Sequence, residues 1–268
     1  MADNAGLDPH MIPKVNAFVK KLHRDVYPAV DPRRPDHFQA GKIVVITVIC
    51  CIFRSGVVRA IAPLDRSAND LAETEELIRK INPVTQACDE IVDRFGVPRV
   101  LINNAGALES ADTILDSDIE SWWETHDVNI KGTLTATQTF LRKVGSTPSR
   151  PTTIINLTSD ASLGGIPRFS SYSISKMANT KLTPYLQVEH PTITSLCIDP
   201  GVVEMSWTDI EALQSPLLLG RDIYELVGAV GIWVASEDKS FLSGRYLSIN
   251  WDVEELQARR RRFSRRIG

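Results

Sequence analysis

The chain has 268 residues, enough to bury a sizeable core within one undivided α/β domain. Apolar residues make up 43% and charged residues 24%, the balance of an ordinary soluble globular protein. A formal net charge of −3 and a sequence pI of 6.0 exclude a general binder of nucleic acid or anionic membranes.

Cys50, Cys51, Cys88 and Cys197 form no CxxC pair and have no histidine at metal-ligand spacing, so they read as buried, reduced thiols. The opening MADNAGLDPH is polar and acidic, unlike a secretory leader. No apolar run approaches the roughly 20 residues of a membrane span. The expectation is a cytoplasmic protein with neither a membrane nor a nucleic acid as partner.

In chain order, residues 1–40 read as an N-terminal arm: a short helix over 13–23, then a stretch broken by Pro28, Pro32 and Pro35. Residues 42–47 (KIVVIT) are a β-branched run suited to a buried parallel strand. Residues 48–65 (VICCIFRSGVVRAIAPLD) are apolar without a clear period. Residues 70–81 form a helix with acidic residues early and basic ones late, and 86–95 a second helix ending at Gly96. A strand follows at 99–103. Next comes a long helix, capped within 116–118 and running through Trp122 and Asn129 towards Val144. Strands at 152–159, 193–199 and 246–250 alternate with helices at 171–188 and 224–235. That alternation predicts βαβ units: a Rossmann-type doubly wound, mainly parallel sheet over 41–256. A basic tail at 257–268 contains RRRRFSRR and reads as a solvated end.

Tyr172 and Lys176 lie four apart on the helix at 171–188, so their side chains share a face. A free tyrosine titrates near pH 10 and is a poor base, but a nearby ammonium favours the phenolate. That pairing suits proton transfer to or from an alcohol oxygen. Ser159, thirteen residues before Tyr172, closes a strand at the edge where parallel sheets bind ligands, and its hydroxyl can hold a carbonyl oxygen. Asn103–Asn104–Ala105–Gly106 also follows a strand, where asparagine side chains can tie strand ends together. Asn129 sits mid-helix, an unfavourable place for asparagine and a sign of functional interruption. Pro200 and Gly201 end the strand at Asp199 in a turn fit for close backbone approach.

In order and spacing, NNAG, the helix asparagine, Ser159, the YSISK box and the PG turn resemble the short-chain dehydrogenase/reductase family over about residues 98–256. The arm sequence VYPAVDP and the ending GRYLSINWDVEEL are similar to fungal members that often serve secondary metabolism. The resemblance implies Tyr172 as acid/base, with Lys176 lowering its pKa and binding the nicotinamide ribose. Ser159 would orient the substrate oxygen, and Asn129 would support a proton relay. Thr47, Asn103 (towards the adenosine side), Lys131 and Val203 (at the nicotinamide amide) join Tyr172 and Lys176 as cofactor-binding residues. The implied activity interconverts a ketone and a secondary alcohol with NADP(H) or, second, NAD(H). The substrate would be small and apolar and the assembly a homodimer or homotetramer, with Trp122 and Trp123 beside the helix that relatives use for dimer packing. His126 is read as structural, with no partner evident.

The family's first strand should end in TGxxxGxG, whose glycines admit a pyrophosphate to a helix N-terminus. Here Thr47 is followed by VICCIFRSG, with Gly56 the only glycine. About 50 residues separate Thr47 from Arg99, against roughly 75 for three successive crossovers at about 30 residues per βαβ unit. The sequence therefore predicts a shortened nucleotide-binding half that has lost the second strand before Arg66 and the third between Pro83 and Gln86. Arg66 and Ser67 resemble the segment where NADPH-preferring members carry a basic residue. Glu204 and Met205 replace a threonine common in the family, and residues 207–219 would cover the pocket. A non-redox descendant, such as an isomerase or cyclase, or a pseudoenzyme, is the competing reading.

Overall fold

The computed structural model describes residues 18–37, 39, 42–47, 60–63, 82–108, 112–145, 149–203, 222–236 and 238–263, with the backbone alone at 60–63 and 82–87. The predicted helix at 70–81, Gly56, Arg66, Ser67, Glu204, Met205 and the segment 207–219 lie outside them. Strand β1 (Ile43–Ile46) is followed by β2 (Ala60–Pro63), α1 (Asn82–Phe95) and β3 (Val100–Asn103). Helix α2 (Ile119–His126) runs through a π-helical turn (Asp127–Gly132) into α3 (Thr133–Val144). Then come β4 (Thr153–Leu157), α4 (Ser170–Glu189), β5 (Thr194–Asp199), α5 (Tyr224–Ser236), β6 (Arg245–Ser248), α6 (Val253–Ala258) and α7 (Arg260–Phe263).

All strands pair in parallel in the order β2-β1-β3-β4-β5-β6. The chain starts centrally, winds outward to β2, then crosses back past β1 to β3, so β1 and β3 form the switch point where such sheets bind ligands. The expected loss of a second strand is corrected: Ile43 and Ala60 are in register, as are Ile46 and Pro63. Between Pro83 and Gln86, where the sequence reads a third strand as lost, the chain is in α1.

Alternation along the buried strands sends side chains to two cores. Ile43, Val45, Leu101 and Ile154 pack with Phe140 of α3 and Leu186 of α4. Val44, Ile46, Ile102 and Ile198 pack on the opposite side with Leu226, Ile232 and Trp233 of α5. Strands covered on both faces carry near-continuous apolar runs because neither face meets water, and each fully buried Leu or Ile contributes roughly 1.5–3 kcal/mol.

The arm belongs to this second core. Val30 is fully buried, and Tyr27 and Ala29 lie beside Val253 and Leu256. The helix predicted at 13–23 is not formed at its described end: residues 18–20 are bends, and Leu22 makes an antiparallel bridge to Trp251. Pairing with the C-terminal segment satisfies those backbone groups instead, His23 N–H donating to Asn250 O at 2.8 Å. The start of the basic tail is also docked. Arg259 pairs with Glu255 and lies over Phe18, and Arg260 pairs with Asp238 at 3.1 Å. No described helix is long and apolar enough to cross a membrane.

Candidate active site

The long helix over 119–144 starts where the sequence predicts, with the Asp118 carboxylate accepting from Ser121 N–H at 2.8 Å. Its interruption falls on Asn129. The π-helical turn 127–132 inserts an extra residue, a device frequent at functional sites, and Asn129 within it is fully buried. The Asn129 amide donates to Ala107 O at 2.9 Å and to Ser175 Oγ at 2.8 Å, while its Oδ1 accepts from Ala107 N–H at 2.8 Å. Its main-chain carbonyl accepts from Asn179 Nδ2 at 3.0 Å. One side chain thereby ties the loop after β3 to α4.

Helix α4 carries Tyr172 and Lys176 on one face, as their spacing requires. Lys176 is 4% exposed; its ammonium donates to Leu157 O at 3.0 Å and lies 5.6 Å from the centre of the Tyr172 ring. Ser159, just past β4, is hydrogen-bonded to the Tyr172 hydroxyl, and its Oγ accepts from Ala161 N–H at 3.2 Å. Ser159, Tyr172, Lys176 and Asn129 are thus brought together outside the carboxyl ends of β3 and β4.

The electrostatics differ from the sequence expectation. Burial pushes the half-buried Tyr172 up to about 12, opposed by the Ser159 hydrogen bond, with the buried Asp199 carboxyl pushing the same way as burial. Burial lowers Lys176 to about 8. Burial is therefore the largest influence on the tyrosine, while Lys176 at about 8 still carries its charge at neutral pH. Asp199 is held above the usual carboxylate range by burial and by the neighbouring Asp160. Asp160 N–H donates to Asp199 Oδ1 at 3.1 Å, and the Tyr246 hydroxyl donates to Asp160.

The remaining predicted residues are placed differently from one another. Thr47 Oγ1 accepts from Asn104 N–H at 3.0 Å and from Ala105 N–H at 3.1 Å, which fixes the turn after β3. The Asn103 side chain faces the interior: its amide donates to Thr137 Oγ1 at 2.9 Å and to Asn156 Oδ1 at 2.7 Å. It joins strand ends, the structural role its position after a strand suggested. Lys131 is exposed and 3.5 Å from Asp127, so it is not part of the cluster. Val203 is buried at the end of the PG turn. His126 does have partners: its Nδ1 is 3.0 Å from Trp122 O and its ring stacks on Trp122.

Two residues escaped the sequence reading. A Cβ on Gly106 would lie 3.1 Å from Lys176 Nζ, so glycine there admits the ammonium; NNAG contained the signal, but its target needs the fold. Asp222 grips the PG turn, with its carboxylate accepting from Val202 N–H at 2.9 Å and its own N–H donating to Val202 O at 2.7 Å. Gly201, at φ +68°, leaves room for that carboxylate, which a Cβ would strike. No local motif marks Asp222.

A doubly wound parallel sheet with polar side chains gathered outside its strand ends defines the Rossmann-type class of nucleotide-cofactor enzymes. Within that class the chain belongs to the short-chain dehydrogenase family, NAD(P)-dependent oxidoreductases, since residues 40–214 match the family model described as short chain dehydrogenase. It is 30% identical over 274 residues to short chain dehydrogenase citE of Monascus ruber, with 91% of each chain covered. It is 32% identical over 270 residues to short chain dehydrogenase tazN of Aspergillus terreus, covering 88% of this chain and 57% of that one. Among solved structures it is similar to NAD+-bound xylitol dehydrogenase, with TM-score 0.67, 19% identity, and 80% of this chain and 99% of that one covered. It is also similar to ElxO with NADP bound, with TM-score 0.61, 19% identity, and 78% and 96% covered.

The described residues fit the nicotinamide-ribose half of such a cofactor. Lys176 commits one of three ammonium hydrogens to Leu157 O, and Gly106 keeps the space beside Nζ clear of a side chain. The residues after Thr47 that would meet the pyrophosphate lie outside the described set.

Proposed function

We propose that the protein reduces a ketone to a secondary alcohol, and runs the reverse oxidation, with NADP(H) as the preferred cofactor. The observation that carries this reading is the Ser159–Tyr172 hydrogen bond with Lys176 Nζ 5.6 Å from the tyrosine ring, on a helix braced by Asn129. When bound, the nicotinamide supplies or accepts the hydride at the substrate's carbonyl carbon. At neutral pH Tyr172 is a neutral phenol, so it stands ready to donate its proton to the oxygen of a ketone under reduction. Ser159 donates a hydrogen bond to the same oxygen. Lys176 and Tyr172 hold the ribose, Val203 meets the carboxamide, and Asn129 keeps the lysine end of the proton relay in place. Thr47 acts towards the cofactor through the turn it fixes, as does Asn103 through its backbone.

Arg66, three residues past the end of β2, supports NADP(H) over NAD(H). The likeness to citE and tazN, both from fungi, supports a place in fungal secondary metabolism. A small apolar substrate is supported by Phe169, whose ring meets Tyr172 edge-on at 6.3 Å. We read the assembly as a homodimer or larger, with Trp123, Met177, Tyr185 and Val188, all more than half exposed, on its interface. The setting is cytoplasmic, in keeping with the free thiols of Cys88 and Cys197.

The test is a fluorescence titration with NADPH and NADH, followed by turnover of wild type and Tyr172→Phe. Saturable binding, with turnover reduced roughly 10²–10⁴-fold in the variant, is the expected outcome. The apolar VICCIF run after Thr47 favours a second reading, catalysis without hydride transfer. Absence of binding up to millimolar cofactor, with any catalysis persisting in cofactor-free protein, would establish that reading instead.

A further inference from the structure

We infer that the N-terminal arm is part of the cofactor-binding architecture, and that Arg24 is a positioning residue that sets the turn carrying Val203. The inference rests on the reading of Val203 as a nicotinamide contact. Asp222 Oδ2 accepts from Val202 N–H at 2.9 Å, and Asp222 N–H donates to Val202 O at 2.7 Å. This mutual pair closes the turn at the point where the chain leaves Val203 and the point where it returns at Asp222. The Asp222 side chain is only 1% exposed, so its anion needs a partner inside the protein.

Arg24 is that partner. Its guanidinium donates to Asp222 Oδ1 at 3.0 Å, and the same oxygen accepts from Asn250 Nδ2 at 2.7 Å. Asn250 also donates to His23 O at 2.8 Å, and His23 N–H donates to Asn250 O at 2.8 Å, so the backbone beside Arg24 is fixed by the residue that shares its acceptor. His23 Nε2 lies 2.7 Å from Asp252 Oδ2, and its ring stacks on Tyr27, with centres 3.5 Å apart. The path from arm to turn is therefore continuous: arm backbone, Arg24, Asp222, Val202 and then Val203. It is linked to the catalytic cluster indirectly, through Ser248, whose hydroxyl bridges Asn250 and the buried Asp199. Loss of Arg24 leaves the Asp222 anion buried with a single amide donor on Oδ1 and loosens its hold on the Val202 peptide.

The experiment compares wild type, Arg24→Met, Arg24→Lys and Arg24→Met/Asp222→Asn. Hydrogen exchange at the Val202 amide is followed in cofactor-free protein, and NADPH affinity, KM and kcat are measured alongside thermal stability. Arg24→Met is expected to speed Val202 exchange and raise the NADPH KM about tenfold or more, with the effect falling on KM more than on kcat. Arg24→Lys should recover most of the affinity. The double variant, in which no charge is left unpaired, should lie closer to wild type than Arg24→Met does. Unchanged Val202 exchange in Arg24→Met overturns the inference, and so does a lower melting temperature with KM intact. If Arg24→Met does not fold, Arg24→Gln, which also removes the charge from Asp222, takes its place, and unchanged Val202 exchange with unchanged NADPH KM in that variant overturns the inference. Failure of wild type itself to bind cofactor removes the redox reading, while Val202 exchange still reports on the hold of Arg24 and Asp222 on the turn.

Discussion

At the scale of single residues, Lys176 shows how function sets itself against stability. A cation 4% exposed, with a neutral carbonyl 3.0 Å away, is a costly thing to fold around. Its native pKa of about 8 lies below the ordinary 10.5, so the unfolded chain binds more protons between those values and stability rises with pH across that window. Lys176→Met should abolish turnover yet stabilise the fold at pH 7 by roughly 1–3 kcal/mol after the lost Leu157 bond is offset, with the advantage shrinking towards pH 10.5. Urea titrations at both pH values check this; a variant no more stable than wild type at pH 7 would refute the burial argument. Tyr172 behaves oppositely. With its pKa raised, it remains protonated through neutral pH, so reductive turnover should hold through pH 7 and decline above about pH 8 as Lys176 loses its charge. A pH–rate profile flat across that region would argue against a role for the ammonium.

At the scale of elements, the π-helical turn 127–132 positions more than it stabilises. Asn129 exchanges partly buried hydrogen bonds with both backbone groups of Ala107 and makes a fully buried third with Ser175. Asn129→Ala should cost roughly 2–4 kcal/mol, because it leaves the Ala107 amide and carbonyl without that partner. Chemical denaturation gives the cost, and faster exchange of the Ala107 amide shows where it falls. Loss of stability without that local exchange would mean the side chain merely fills space. The Thr47 hydroxyl holds the Asn104 and Ala105 amides from the other side, so the loop after β3 is fixed by two elements at once.

At the scale of the whole molecule, the first and last described segments meet on one face. Glu255 of α6 accepts from Lys20 and Lys21 N–H at 2.9 and 3.0 Å, and Leu22 bridges to Trp251. Among the described residues nothing covers an apolar strip on the opposite layer, which carries a groove of about 300 Å³ lined by Ile130, Leu134, Leu182 and Tyr185. Val188 at 69% and Tyr185 at 55% exposure are costly to leave in water. A Tyr185→Asp/Val188→Asp pair should therefore convert the wild-type assembly to monomer in sedimentation experiments, with secondary structure kept. A wild type already monomeric at micromolar concentration would defeat the proposed interface.

Much of this was legible locally. The β-branched runs at 42–47 and 152–159, the Asp118 cap and the four-residue spacing of Tyr172 and Lys176 are each set by short-range sterics and periodicity, so the parallel architecture and the core of the site could be read from the sequence. Asn129 could be noticed as a poor helix former, but that it clamps Ala107 depends on a contact 22 residues away. Tertiary structure alone decided the rest. The second strand is recovered by pairing with β1, which a count of residues could not foresee. The Asn103 side chain turns inward because Thr137 and Asn156 offer it buried partners, and Lys131 stays with Asp127 at the surface. Asp222 and Arg24 lie 198 residues apart and carry no motif. They meet because an anion in a low-dielectric interior must be paired, and only the packed fold determines which cation reaches it.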